Sequence, residues 1–119
     1  MNFYLLEDSH SIVFSCHEIN HLDFKKLEIQ EDESKQEKHI PKVEKEGMKI
    51  NVKIGDIMHP MTSEHYISFI FLETTLGGQF KRLSYTNKPV VEFVLSDNEE
   101  PIAVYEYCTL HGLWKTDLE

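Results

Sequence analysis

From Met48 onward the chain alternates apolar and polar residues with a period of two. Ile50, Val52 and Ile54 are interleaved with Lys49, Asn51 and Lys53, the pattern of a strand with one buried face, and Gly55-Asp56 closes the run. Residues 65–72 are rich in aromatic and β-branched side chains, and Gly77-Gly78 marks the turn that follows. Further strands are predicted over residues 79–85, 90–95 and 102–107, separated by Thr86-Asn87-Lys88-Pro89 and Ser96-Asp97-Asn98-Glu99-Glu100-Pro101. No stretch after Gly47 sustains the helical period. Short strands at this spacing predict an all-β chain, folded as an antiparallel sandwich or a small barrel.

The earlier part reads differently. Two short apolar runs, residues 3–6 and 12–16, are predicted to pair as a hairpin and form a small appendage. Glu31-Asp32-Glu33-Ser34-Lys35-Gln36-Glu37-Lys38 has no apolar residue to anchor it and is predicted to be an exposed connector. Residues 1–46 hold 11 of the 21 acidic side chains, so charge is concentrated early. With 119 residues there is room for one sizeable core. The domain division expected is a short N-terminal segment and connector over residues 1–36 and a β-sandwich over residues 37–119.

The formal charge is −9, with no run of lysines or arginines. That argues against nucleic acid or an anionic membrane as partner, because binding phosphates begins with concentrated positive charge. Two cysteines set no disulfide framework, which fits a reducing compartment. The N-terminus lacks the basic start and apolar run of a signal peptide, and no apolar stretch approaches the ~20 residues of a membrane span. The expectation is a soluble cytoplasmic protein.

The chemistry resides in the histidines, seven in all. His39, His59, His65 and His111 lie beside turn or strand-end signals, as does Cys108. His59 precedes Pro60 and is restricted to extended backbone. Cys108 and His111 form a Cys-x-x-His followed by Gly112, so the chain can turn and aim both side chains at one point. Taken singly, each histidine has an ordinary explanation as a surface or core residue, and Cys108 as a small hydrophobe. Taken together, four nitrogens and one sulfur suit iron or another transition metal with one position open better than they suit structural zinc.

Three strings, Glu37-Lys38-His39-Ile40-Pro41, His59-Pro60-Met61-Thr62-Ser63-Glu64-His65-Tyr66 and Cys108-Thr109-Leu110-His111-Gly112-Leu113-Trp114-Lys115, resemble the signature blocks of the superoxide reductase family, which includes neelaredoxin and desulfoferrodoxin. The resemblance implies an immunoglobulin-like antiparallel β-sandwich and one mononuclear non-haem iron. It implies that His39, His59, His65 and His111 supply four nitrogens and Cys108 an axial thiolate. The reaction implied is one-electron reduction of superoxide to hydrogen peroxide without release of oxygen. Lys38 resembles the family lysine that attracts the anion, and Glu37 the residue that binds the oxidised iron. The amides of Leu110 and His111 are expected to donate to the Cys108 sulfur, with Pro41, Pro60 and Trp114 shaping the walls. A small electron donor such as rubredoxin is the implied partner, and a homodimer or homotetramer the implied assembly.

Some family members carry an N-terminal rubredoxin-like module with four iron-binding cysteines. Here Leu6 and Ser9 stand where the first two would be, and Cys16 is the only cysteine in the region, so that site cannot form within one chain. Cys16, His17, His10 and His21 are the remaining candidates for an improvised second site. Ser63 replaces a common proline, and Lys42 stands where an apolar residue is common, facing either the site entrance or water. Two other functions compete: an electron-transfer or redox-sensing module with the same iron, and a structural sandwich holding adventitious zinc.

Overall fold

The structure, a computed structural model, describes residues 1–6 and 11–118. Ten strands and one short helix follow in the order β1(Asn2–Leu6), β2(Ser11–Ser15), β3(Phe24–Lys26), α1(Glu33–His39), β4(Pro41–Glu46), β5(Lys49–Ile54), β6(Ile67–Thr74), β7(Gly77–Arg82), β8(Val90–Val94), β9(Pro101–Cys108) and β10(Gly112–Asp117). They form three sheets, ordered β2-β1-β3, β10-β9-β6-β7 and β4-β5-β8, with every strand pair antiparallel. No described helix is long and apolar enough to cross a membrane.

The layers follow from alternation. Ile50, Val52 and Ile54 of β5 and Phe93 of β8 pack against Ile67, Ile70 and Leu72 of β6 and Val104 and Cys108 of β9, forming a β-sandwich with one core between two sheets. The four-stranded sheet is apolar on its other face too, where Phe69, Phe71, Ala103, Tyr105 and Leu113 gather around Phe3. Burial on both faces explains why β6 reads as a continuous apolar run rather than an alternating one. A register shift between Ile67 and Phe69 opposite β9 lets Ile67 and Ile70, three apart, face the same core.

The predicted hairpin is present, with β1 paired to β2 from Asn2↔Ser15 to Leu6↔Ser11. It is joined by β3, which the sequence pattern did not reveal. Phe3 is only 1% exposed, and its ring lies 5.8 Å from Phe69, 5.7 Å from Phe71 and 4.9 Å from Tyr105. The following segment runs beside β10, where the Gln30 amide donates to the Leu113 carbonyl over 2.8 Å.

The predicted connector is corrected in part, because residues 33–39 form α1. Asp32 caps it by accepting from the Ser34 amide, and the Ser34 hydroxyl and Lys35 hold the Asp32 carboxyl down to about 2. Glu33 in the first turn and Lys38 in the last complement the helix dipole. The helix has no apolar stripe; it is held at its C-terminal end. There the Asp56 amide donates to the Glu37 carbonyl over 2.7 Å, and the Gly55 amide to the Ile40 carbonyl over 2.9 Å. Gly55 has φ +85°, and a Cβ there would sit 2.7 Å from the Lys38 carbonyl oxygen and 2.5 Å from that of Ile57. Only glycine brings β5 this close to the end of α1.

Candidate metal centre

Five side chains from five places in the fold converge. His39 ends α1, His59 lies in the loop after β5, His65 stands two residues before the start of β6, Cys108 ends β9, and His111 occupies the turn into β10. Gly112, with φ +85°, makes that turn possible. Thr62 and His65 close the turn before β6, the His65 amide donating to the Thr62 carbonyl over 3.1 Å, with the exposed Ser63 at its tip. The Tyr66 amide donates to the Thr109 hydroxyl over 3.2 Å and the Thr109 amide to the Tyr66 carbonyl over 3.0 Å. This reciprocal pair ties His65 to the strand that carries Cys108.

The four imidazoles form a ring in the order His39, His59, His65, His111. Successive centroids are 4.7, 4.7, 5.0 and 4.9 Å apart, and successive planes are inclined by 72°, 82°, 82° and 87°. His39 and His65, across the ring, are 6.3 Å apart and inclined by 28°. The ligand atoms of His39, His65, Cys108 and His111 all lie within 4.8 Å of one another. His59 is outside that group, yet its Nε2 is 3.2 Å from Nε2 of His39.

The protonation pattern makes this arrangement a fit for a cation. Nδ1 of His39 is 2.8 Å from the Lys35 carbonyl and Nδ1 of His59 is 2.7 Å from that of Pro60, so in each neutral ring Nδ1 carries the hydrogen. The two Nε2 lone pairs then face each other with no proton between them. Nδ1 of His111 lies 3.2 Å from Nε2 of His39, and Nε2 of His65 is buried without a hydrogen-bond partner. Several electron pairs pointing into one space repel unless a positive ion accepts them.

Burial lowers the pKa of His39, of His59 (to about 4) and of His65, with neighbouring imidazoles adding to the effect. These three rings are therefore neutral and available as donors at neutral pH. Burial pushes the Cys108 thiol up, opposed by the amides of His111 and Leu110, which donate to the sulfur as expected. A bound cation reverses that balance by stabilising the thiolate directly. Glu106, on the same face of β9, is wholly buried, and burial pushes its carboxyl well above the carboxylate range.

The folded-state pKa of His59 lies below its ordinary 6.5, so between the two values the metal-free folded chain binds fewer protons than the unfolded one. The resulting stability is complete above about 6.5 and is lost as pH falls toward about 4. The denaturation midpoint of metal-free protein is expected to drop through that window, by a few kcal/mol in free energy, and less so in His59→Gln. Equal slopes in the two proteins would show that His59 is not held neutral.

A cavity of about 370 Å³ opens above the ring, bordered by the four imidazoles together with Glu37, Lys38 and Pro60, but not by Cys108. Glu37 and Lys38 are exposed at its edge, and the charge of Lys38 is felt at His65. Lys42 pairs with Asp56 at 3.0 Å on the surface rather than facing the entrance. Three contributors escaped the sequence reading: Gly55, Thr109 and the carbonyl of Lys35, whose only signal was position beside a ligand or a turn. Among the described residues no second group of ligands gathers: Cys16, His17 and His21 are exposed, and Ser9 and His10 lie outside the described residues.

Comparison with known proteins agrees with this centre. The desulfoferrodoxin family model matches residues 31–117. The desulfoferrodoxin of Clostridium acetobutylicum is 41% identical over 83 residues, covering 70% of this chain and 64% of that protein. The chain thus spans less than two thirds of that relative's length. A superoxide reductase of Pyrococcus horikoshii is 34% identical over 108 residues, covering 76% of this chain and 94% of that one. The crystal structure of the superoxide reductase from Treponema pallidum superposes with a TM-score of 0.82 at 30% identity, with 98% of each chain covered. The matched segment contains α1, both β-sheets of the sandwich and all five converging side chains, and the chain belongs to the desulfoferrodoxin family.

Proposed function

We propose that this protein is a superoxide reductase, with one iron held by nitrogens of His39, His59, His65 and His111 and by the sulfur of Cys108. The observation that carries the reading is the ring of four imidazoles, each steeply inclined to its two neighbours, with a buried thiol beside it and a cavity bordered by a lysine. Bound there, ferrous iron supplies the one electron that, with two protons, converts superoxide to hydrogen peroxide.

The residues around it divide the remaining work. The carbonyls of Lys35 and Pro60 fix the tautomers of His39 and His59, so no proton competes for the inward nitrogens. The amides of Leu110 and His111 spread the negative charge of the Cys108 sulfur. Lys38 gives an otherwise acidic molecule a local positive potential at the cavity and draws the anion in. Glu37, beside it, caps the oxidised site between turnovers. Lys38→Ala is expected to slow the second-order reaction roughly tenfold and flatten its dependence on ionic strength. An unchanged rate in dilute buffer would remove Lys38 from this role.

The two facing sheets correspond in this reading to an immunoglobulin-like sandwich over residues 37–119, with residues 1–36 as a remnant of the rubredoxin-like module and connector. The electron donor is a small redox protein such as rubredoxin, the assembly a homodimer or homotetramer, and the compartment the cytoplasm. The deciding experiment is anaerobic loading with ferrous iron, followed by pulse radiolysis with hydrogen peroxide and oxygen both quantified. Fast oxidation of the site with peroxide and no oxygen supports the reductase. A slow reaction in a fully loaded sample would move the protein to electron transfer or sensing.

A further inference from the structure

Trp114 is the only tryptophan of the chain and is completely buried in β10, which by itself is what a core residue does. Its two specific contacts go further, because each is made to a different histidine of the centre, one to the ring and one to the main chain. Its ring stacks on that of His39, with centroids 4.8 Å apart and planes inclined by 19°. Its indole N–H donates to the main-chain carbonyl of His111 over 3.2 Å. His39 arrives on α1 and His111 on the turn between β9 and β10, so no backbone ladder ties these two residues together.

The second contact matters because of which nitrogen His111 presents. His39 and His59 present Nε2, the far side of the ring, whereas His111 presents Nδ1, 3.2 Å from Nε2 of His39. Nδ1 is attached to the ring carbon next to Cβ, so it lies nearer the main chain than Nε2 and a displacement of the backbone reaches it over a shorter lever. Whatever holds the His111 carbonyl therefore restrains the backbone from which its donor atom is placed. On His39, the stacked indole fixes the plane of a ring whose Nδ1 is already tied to Lys35.

We infer that Trp114 is a positioning residue that sets the spacing between Nε2 of His39 and Nδ1 of His111, an inference that rests on the proposed assignment of these two as ligands. Trp114→Phe keeps an aromatic ring against His39 and removes the donor; Trp114→Leu removes both. The probe is Co²⁺ added anaerobically to the full chain, followed by its visible absorption, with thermal unfolding of the metal-free variants measured alongside. Trp114→Phe is expected to bind Co²⁺ about tenfold more weakly, and its ligand-field bands at saturating metal are expected to differ from wild type. Trp114→Leu should lose more.

A purely structural role would lower the unfolding temperature while leaving the saturated spectrum unaltered, and that result would overturn the inference. If the variants do not fold, the wild-type chain decides: Co²⁺ should quench Trp114 fluorescence in step with the absorption band, and emission indifferent to the metal would overturn it equally. Failure of the wild-type chain to take up one Co²⁺ would instead sink the ligand assignment itself.

Discussion

Cys108→Ser, loaded with iron and oxidised, is expected to be colourless where the parent shows a thiolate-to-iron charge-transfer band. Cys108 is wholly buried in the sandwich core at the end of β9, with the amides of Leu110 and His111 directed at its sulfur. Serine fits the same volume, so the chain should still fold. Its alcohol does not ionise as a thiol does near a cation, and the site loses its one soft, anionic donor. Iron affinity should fall by more than the ~10–100-fold typical of losing a supporting hydrogen bond, and superoxide reduction should fall with it. Retention of the parent absorption would eliminate Cys108 as a ligand.

Phe3→Ala is expected to cost about 3–5 kcal/mol of folding stability, the range for truncating a buried aromatic residue. Phe3 comes from the N-terminal sheet, but its neighbours Phe69, Phe71 and Tyr105 belong to β6 and β9. If the apolar cluster they share joins the two parts into one cooperative unit, denaturant should unfold both the variant and its parent in a single transition. A variant showing two transitions, or one whose midpoint is unmoved, would mean that the N-terminal sheet folds apart from the sandwich. The consequence reaches the metal centre. The Leu27 amide donates to the Phe3 carbonyl and the Gln30 amide to that of Leu113, leading directly to the Asp32 cap of α1 and so to His39.

What could be read along the chain was whatever short-range periodicity encodes. The half-buried strand around Ile50, Val52 and Ile54 shows clean alternation because one face meets the core and the other meets water. Helix α1 was missed because it buries no apolar stripe; it stands on a cap and on hydrogen bonds from Gly55 and Asp56, residues far along the chain. Strands β3, β4 and β10 were missed for a related reason: they are short, or rich in charge, or interrupted by residues serving the site. The turn expected at Gly77-Gly78 falls slightly earlier, and both glycines begin β7, where a Cβ on Gly78 would collide with Phe71.

The identity of the candidate donor groups belonged to the sequence, since imidazole and thiol chemistry is fixed by residue type and the three motif blocks specify their order. Which nitrogen of each ring faces inward, and that neighbouring rings stand nearly perpendicular around one point, were decided only by the tertiary structure. The physical reason is that a tautomer is set by whichever carbonyl lies beside the other nitrogen, Lys35 for His39 and Pro60 for His59. Likewise, the distance between His39 and His111 is set by packing between elements separated by 72 residues, where no local pattern reaches.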